Sequence, residues 1–283
     1  MKLSIVIPVL GQHELSKLCL SKIIDKQIHD TENEIVIIDN GGDFSVESSD
    51  LPDKFARFTV LRPPEGNIGV YPAFKFGMEN TTGDVVLFIH SDLIIDELGF
   101  DVRLLDAFEK DPKLGLVGFI GSAEIDFNGG RGGYTTSNFQ GGTYVYKGKV
   151  WKGSPARDHG MRSKDLSKAA VVDGCSMALS RNAYNSIEYR EDFPPHHFYD
   201  RLISMQVIEA GFDVAVLGIA CDHISGQTAN TEERYPSMAA DWFKKHNISP
   251  VNPQSMDQSI YVIAERMFLD EYRESKKMIP RKV

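Results

Sequence analysis

"VVLFIHSDLIID", residues 85–96, is an apolar run that meets His90, Ser91 and Asp92 and then turns apolar again. Its β-branched, nearly unbroken start reads as a strand covered on both faces, the kind found inside a parallel sheet. The neighbouring segments have the same character. "LSIVIPV" (3–9), "EIVIIDN" (34–40) and "FTVLRP" (58–63) read as further strands, with "DVVLFIH" (84–90) as the fourth. Between them, Leu15, Leu18, Cys19, Ile23 and Ile24 recur at helical spacing and predict a helix over 13–27. A second helix is predicted over 70–80, with Pro72 in its first turn, where a missing N–H is harmless. Leu98, Val102, Leu105 and Phe108 mark a third, before the strand "LGLVGFIG" (114–121). Alternating strands and helices predict an α/β fold with a mostly parallel sheet flanked by helices.

Residues 128–153 break this rhythm with a mixture of glycines and aromatic residues, among them Tyr134, Phe139, Tyr144, Tyr146 and Trp151. They predict a long loop or irregular hairpin, either a surface excursion or a lid or acceptor platform. Beyond it come a strand over 169–180 interrupted by glycine, a helix over 197–210, a strand over 212–223 and a last helix near 256–275. That last helix is expected to dock on the domain or on a second copy of the chain, giving a homodimer.

At 283 residues, 42% hydrophobic and 25% charged, the chain has the composition of a folded globular protein. A formal net charge of -9 argues against a protein whose main task is neutralising nucleic-acid phosphates. Cys19, Cys175 and Cys221 are few and far apart, which suits a reducing compartment better than a disulfide framework. No apolar stretch reaches the roughly 18 residues of a membrane span, and the amino terminus does not read as a signal peptide. A cytoplasmic location is expected.

The polar residues that look out of place lie at strand ends, where ligands bind in open α/β sheets. Strand one runs into "PVLGQ", strand two delivers Asp39 and Asn40, the third is followed by "PPEGNIG", and the fourth delivers His90 and Asp92. Dinucleotide binding would need a glycine-rich turn after strand one, and "IPVLGQHEL" offers one glycine; no P-loop is present. A nucleotide without a glycine cradle needs its diphosphate charge offset by a divalent cation on hard oxygen ligands, which Asp92 is placed to supply. His90 would add a nitrogen ligand or a hydrogen bond.

These stretches together resemble glycosyltransferase family 2, with its GT-A fold. The likeness is carried by "SIVIPVLGQ", "EIVIIDNGG", "GNIGVYPAFKFGMENTTGDVVLFIHSDL" and "HFYDRLISMQVIEAGFDVAVLGIACDHISGQ", and covers about residues 3–227. It is strongest to the streptomycin-biosynthesis-type branch, in which H-x-D replaces D-x-D. The resemblance implies a GT-A domain over 1–227, with a nucleotide-sugar half (1–125) and an acceptor half (126–227), followed by a helical extension (228–283). Carried over, it implies that Pro8 and Val9 flank the base through backbone contacts and that Asp39, with Asn40 beside it, reads the base. Asn67 and Gly69 would shape the loop beside the donor, next to His90, while Asp92 and His223 would hold Mn2+ or Mg2+. A strand-end histidine such as His223 is also simply bonded to a neighbouring loop in many proteins.

Asp200 in "HFYD" matches the catalytic base, although an aspartate at a helix start also suits the macrodipole. A stripe of Phe198, Leu202, Met205 and Ile208 is expected to be buried, with Asp200 projecting away from it. Three positions depart from the family pattern: Leu202 stands where a second acid is common, Lys75 where the donor-side helix has Asn, and His90 where D-x-D begins. The implied activity is metal-dependent, inverting transfer of a sugar from a nucleotide diphosphate, UDP first, to an acceptor hydroxyl on a glycan, a lipid-linked glycan or another molecule. The basic run of Lys152, Arg157, Arg162, Lys164 and Lys168 leaves an anionic acceptor open, even a nucleic-acid one. Two rivals remain: a nucleotidyltransferase, which should carry a basic glycine-rich loop after strand one, and a sugar-nucleotide or glycan-binding module without activity.

Overall fold

The computed structural model describes residues 1–29, 32–52, 58–125, 131–146, 149–153, 161–191 and 198–225. The expected extension over 228–283, with its helix near 256–275 and any dimer built on it, lies outside the described residues.

The first half follows the expected alternation: β1 (Leu3–Val9), α1 (His13–Lys26), β2 (Glu34–Asp39), β3 (Phe58–Leu61), α2 (Val70–Glu79), β4 (Val85–Ile89), β5 (Leu93–Ile95) and α3 (Phe100–Lys110). There follow β6 (Leu114–Gly118), β7 (Ile120–Ile125), β8 (Arg131–Tyr146), β9 (Lys149–Gly153), β10 (Met161–Arg162), β11 (Leu166–Ala169), β12 (Val171–Val172) and β13 (Ser176–Ser180). The chain then forms α4 (Arg181–Tyr184), α5 (Tyr199–Glu209), β14 (Asp213–Leu217) and β15 (Ala220–Ser225).

The main sheet has eight strands in the order β11-β14-β6-β13-β4-β1-β2-β3. Strands β1, β2, β3 and β4 pair in parallel, as their unbroken apolar character predicts, whereas β13 runs antiparallel between β4 and β6. Helices bury their apolar stripes against the sheet, α1 through Cys19, Leu20, Ile23 and Ile24 and α2 through Tyr71, Phe74 and Met78. In α3 the stripe is Phe100, Leu104, Leu105 and Phe108; Leu98 precedes the helix and is 68% exposed, so the expected register was displaced. The three cysteines are free and buried, and burial pushes all three thiols up, which makes them packing residues.

A second sheet is ordered β12-β7-β8-β15-β5, with β9 and β10 also paired to β8. Here two sequence readings are corrected and two are sharpened. The run 114–121 is two strands, because the chain leaves the main sheet after Gly118 and enters the second at Ile120; the Phe119 N–H at the bend donates to Ser176 Oγ (3.0 Å). The run 212–223 divides likewise at Gly218, where a Cβ would collide with the Ser163 carbonyl. The run 169–180 divides at its glycine into β12 and β13, around a turn in which the Cys175 N–H donates to the Asp173 carboxylate (3.0 Å), while β11 ends where the run begins. Finally, of the two forms expected of the glycine-rich segment, the hairpin is the one found, a 16-residue strand and its antiparallel partner. Strand β8 pairs antiparallel with β7 and β9 and parallel with β15, and this shared pairing holds it extended despite its glycines.

The sheets therefore meet along a seam that the chain crosses at 90–92, at Phe119 and at Gly218–Ile219. No helix among the described residues is long and apolar enough to cross a membrane. Gly218→Ala is expected to cost at least about 2 kcal/mol, because its neighbour is backbone that cannot rotate aside. Urea denaturation of the variant beside wild type checks this.

Candidate active site

Residues 90–92 lie where β4 ends in one sheet and β5 begins in the other. The bend is held by backbone: the His90 N–H donates to Cys175 O (3.0 Å), the Leu93 N–H to His90 O (3.1 Å) and the Ile224 N–H to Asp92 O (2.9 Å). Because β15 runs antiparallel to β5 with His223 opposite Leu93, His223 is delivered beside Asp92 from a segment 130 residues away. The three side chains His90, Asp92 and His223 offer ligand atoms that all lie within 4.8 Å of one another.

The trio has the chemistry of a cation site. Asp92 Oδ1 is buried without a hydrogen bond, and its nearest charged neighbour, His223 Nε2, stands at 3.6 Å, an ion pair too long to be a hydrogen bond. A buried carboxylate oxygen left in this state is costly unless something binds it. Burial pushes the Asp92 carboxyl upward, but His223 and His90 together outweigh it and hold the group below its usual range. Burial likewise pushes His223 down, and Asp92, helped by Asp173 and Asp222, outweighs it, so His223 is raised above an ordinary histidine. His90 keeps the effect of burial, which Asp92 offsets only in part, and is lowered. One hard oxygen and two imidazoles suit Mn2+ or a similar divalent ion.

Asp200 is brought toward the trio by α5. This helix starts at Tyr199, directly after Phe198, which is held at φ +66° in the left-handed region. Such a conformation is strained for a bulky residue and clusters at functional sites. The helix is buried almost all round its first two turns, so Asp200 is 8% exposed rather than projecting freely from the stripe. Its carboxylate accepts from the Gly174 N–H (3.3 Å) and from the N–H of Arg201 (2.9 Å), with Arg201 Nη1 at 3.4 Å. Leu202, where a second acid is common, is fully buried.

The remaining predicted residues sit on the first two strands and the start of α2. Pro8 lies opposite Ile38 and Val9 opposite Asp39, so these residues share one end of the sheet. The Asn40 N–H donates to Val9 O (2.9 Å) and its side-chain amide to Gly69 O (3.3 Å), while Asn40 Oδ1 is buried without a partner. Asn67 Oδ1 accepts from the Gly69 N–H (3.0 Å), fixing the turn into α2. Asp39 is more heavily used than its position suggested: its carboxylate accepts from the N–H groups of Gly42 (2.8 Å) and Phe44 (3.1 Å) and from Arg62 Nε (2.9 Å). Lys75 stands over the Tyr189 ring (4.6 Å) with Glu191 at 3.5 Å and Glu79 at 3.9 Å, so its charge is matched on the helix face. Of the basic run, Arg157 lies outside the described residues.

Sequence reasoning passed over Tyr199, Asp173, Gly174, Arg62 and Arg201. Asp173 bears on the trio electrostatically, raising both histidines. The signal for the turn was there, an Asp-Gly pair between two apolar runs. A tyrosine beside a helix start gave none, because aromatic residues there are mostly core.

With this geometry in view, comparison with known proteins places the chain. Its sheet order and seam define a GT-A fold, the architecture of nucleotide-diphospho-sugar transferases. The chain belongs to the glycosyltransferase-like family, whose model matches residues 71–272. Among solved structures it is similar to the mannosyltransferase PcManGT from Pyrobaculum calidifontis in complex with GDP-Man and Mn2+, at 12% identity and a TM-score of 0.52, covering 95% of this chain and 71% of that one. It is also similar to GalNAc-T7 with UDP, GalNAc and Mn2+, at 15% identity and a TM-score of 0.55; 97% of this chain is covered but only 54% of that protein. Comparison with curated proteins returned no significant match.

The opposed shifts of Asp92 and His223 yield a test that needs no ligand. In metal-free Asp92→Asn protein, burial acts on the imidazoles without the largest offsetting charge, and only the weaker ones, Asp173 foremost, remain. The His223 pKa should then fall from above to below that of an ordinary histidine, and that of His90 should fall further. Histidine NMR titration of both proteins measures this.

Proposed function

We propose that this chain is a metal-dependent, inverting glycosyltransferase of the streptomycin-biosynthesis-type branch, moving a sugar from a nucleotide diphosphate to an acceptor hydroxyl. The observation that carries the reading is the half-buried His90, Asp92 and His223 trio with its buried, unbonded carboxylate oxygen, in a chain of the glycosyltransferase-like family. Asp92 and His223 would hold Mn2+ or Mg2+, with His90 beside them. The neighbours' complexes with Mn2+ and nucleotides support this assignment by analogy of fold. When bound, such an ion would stabilise the negative charge that develops on the departing diphosphate.

The protein's own groups do the rest. Pro8, Val9, Asp39 and Asn40 line the strand ends where the nucleoside would lie, and the turn of Asn67 and Gly69 brings the start of α2 up to them. Asp39, covered and tied to Arg62 and to two backbone N–H groups, would accept from a base N–H once the turn at 42–44 moves aside; UDP is the donor favoured by the resemblance. Asp200 takes the proton of the attacking hydroxyl, held in place by the Gly174 N–H. Attack opposite the leaving group inverts the anomeric centre in one displacement. We read residues 1–125 as the donor half and 126–227 as the acceptor half, with 228–283 as an extension. A glycan or lipid-linked glycan is the acceptor class proposed, and the few, unpaired cysteines fit an enzyme of the cytoplasm.

Nucleotide release from UDP-sugars with Mn2+ should be abolished by EDTA. Asp200→Asn should lower transfer by roughly 10²- to 10⁴-fold with little change in UDP affinity, whereas Asp92→Ala should weaken Mn2+-dependent UDP binding itself. Equal UDP binding by Asp92→Ala and wild type in calorimetry would sink the cation assignment. Because His223 holds its proton more tightly than an ordinary histidine, a cation must displace it. Mn2+ affinity should therefore fall as pH drops through the His223 pKa, with proton uptake by buffer on binding.

A further inference from the structure

We infer that Tyr199 is a positioning residue that fixes the His90 ring in its Nε2–H tautomer, so that Nδ1 carries the lone pair available to a cation. The inference rests on the proposed cation site and adds to it a residue from the acceptor half of the chain.

The assignment follows from counting protons. Tyr199 is 3% exposed; its hydroxyl lies 2.7 Å from His90 Nε2 and 3.1 Å from Gly174 O. A hydroxyl has one proton. If it pointed at His90, two oxygens, those of Tyr199 and Gly174, would face each other at 3.1 Å with no proton between them. If it points at Gly174 O, the shorter contact must be His90 Nε2–H donating to the tyrosine oxygen, and every group is satisfied. A neutral imidazole protonated at Nε2 has its lone pair on Nδ1. His90 thus uses one nitrogen to bond and keeps the other for a ligand.

Two features hold Tyr199 to this task. A Cβ at residue 174 would collide with the tyrosine hydroxyl, so only glycine lets the ring approach the carbonyl it donates to. On its other side the ring stacks on Tyr71, with centroids 6.2 Å apart and planes 19° from parallel, and Tyr71 in turn stacks on Tyr189 at 4.6 Å. The hydroxyl is therefore placed by packing from α2 and by the β12–β13 turn. The turn serves twice, since the Gly174 N–H donates to Asp200 while its carbonyl accepts from Tyr199. Partners of this kind around metal-binding histidines alter affinity by roughly 10- to 100-fold.

The test is long-range 1H–15N correlation NMR on metal-free, histidine-labelled protein, with the His90 signals assigned by their loss in His90→Gln. Wild type should show the Nε2–H pattern for His90, and Tyr199→Phe a mixture of tautomers together with an Mn2+ affinity at least about 10-fold weaker by calorimetry. Gly174→Ala, which displaces the hydroxyl without deleting it, should shift both readouts in the same direction. An Nδ1–H pattern in wild type, or a Tyr199→Phe protein with unchanged tautomer and unchanged Mn2+ affinity, would overturn the inference. Absence of Mn2+ binding to wild type would instead count against the cation site, while the metal-free spectrum still decides the tautomer.

Discussion

The arrangement of the molecule turns on a half-buried carboxylate beside two imidazoles, one of its oxygens fully covered, placed where strands change sheets. Such a group is tolerable in a protein interior only if neighbouring charges or a bound cation answer it. Asp92 is answered from opposite ends of the sequence, by His90 on its own bend and by His223 on β15. For that to happen, β4 and β5 must belong to different sheets and β15 must pair with β5. The seam is thus a condition of the chemistry as well as of the packing.

The same seam accounts for where the acid Asp200 stands. The β12–β13 turn sits against the bend at His90, since Cys175 O accepts the His90 N–H. Its next-door Gly174 N–H holds Asp200, so a single turn ties the first residue of the H-x-D element to the start of α5. Phe198, strained at the entry to that helix, is the local cost of bringing Tyr199 and Asp200 into register together.

Much of this was legible in the chain. Polar side chains that interrupt apolar runs at strand ends marked the region of the site, because water-exposed loops are where such residues belong and buried strands are not. His223 and Asp200 stood out through family resemblance; their spacing to Asp92 carries no information before the strands are paired. The divisions at Phe119 and Gly218 were invisible because a strand that leaves one sheet for another stays apolar throughout. For residues 128–153, glycine and aromatic residues left a loop and an irregular hairpin equally open, and only partners on both edges of β8 explain why the segment is extended. Asp39 was found at its strand end, but its bond to Arg62 joins elements 23 residues apart and has no local signature.

The long hairpin of β8 and β9 has one further meaning. Its near end is anchored by β7, and β15 follows it as far as Tyr144, so that among the described residues only Val145 and Tyr146 pair with β9 alone. Changes in length or side chains at that far end would leave the register around Asn138 and Phe139 untouched. Variation could thus gather at the tip of a single antiparallel arm while the carboxylate and its two imidazoles keep their places.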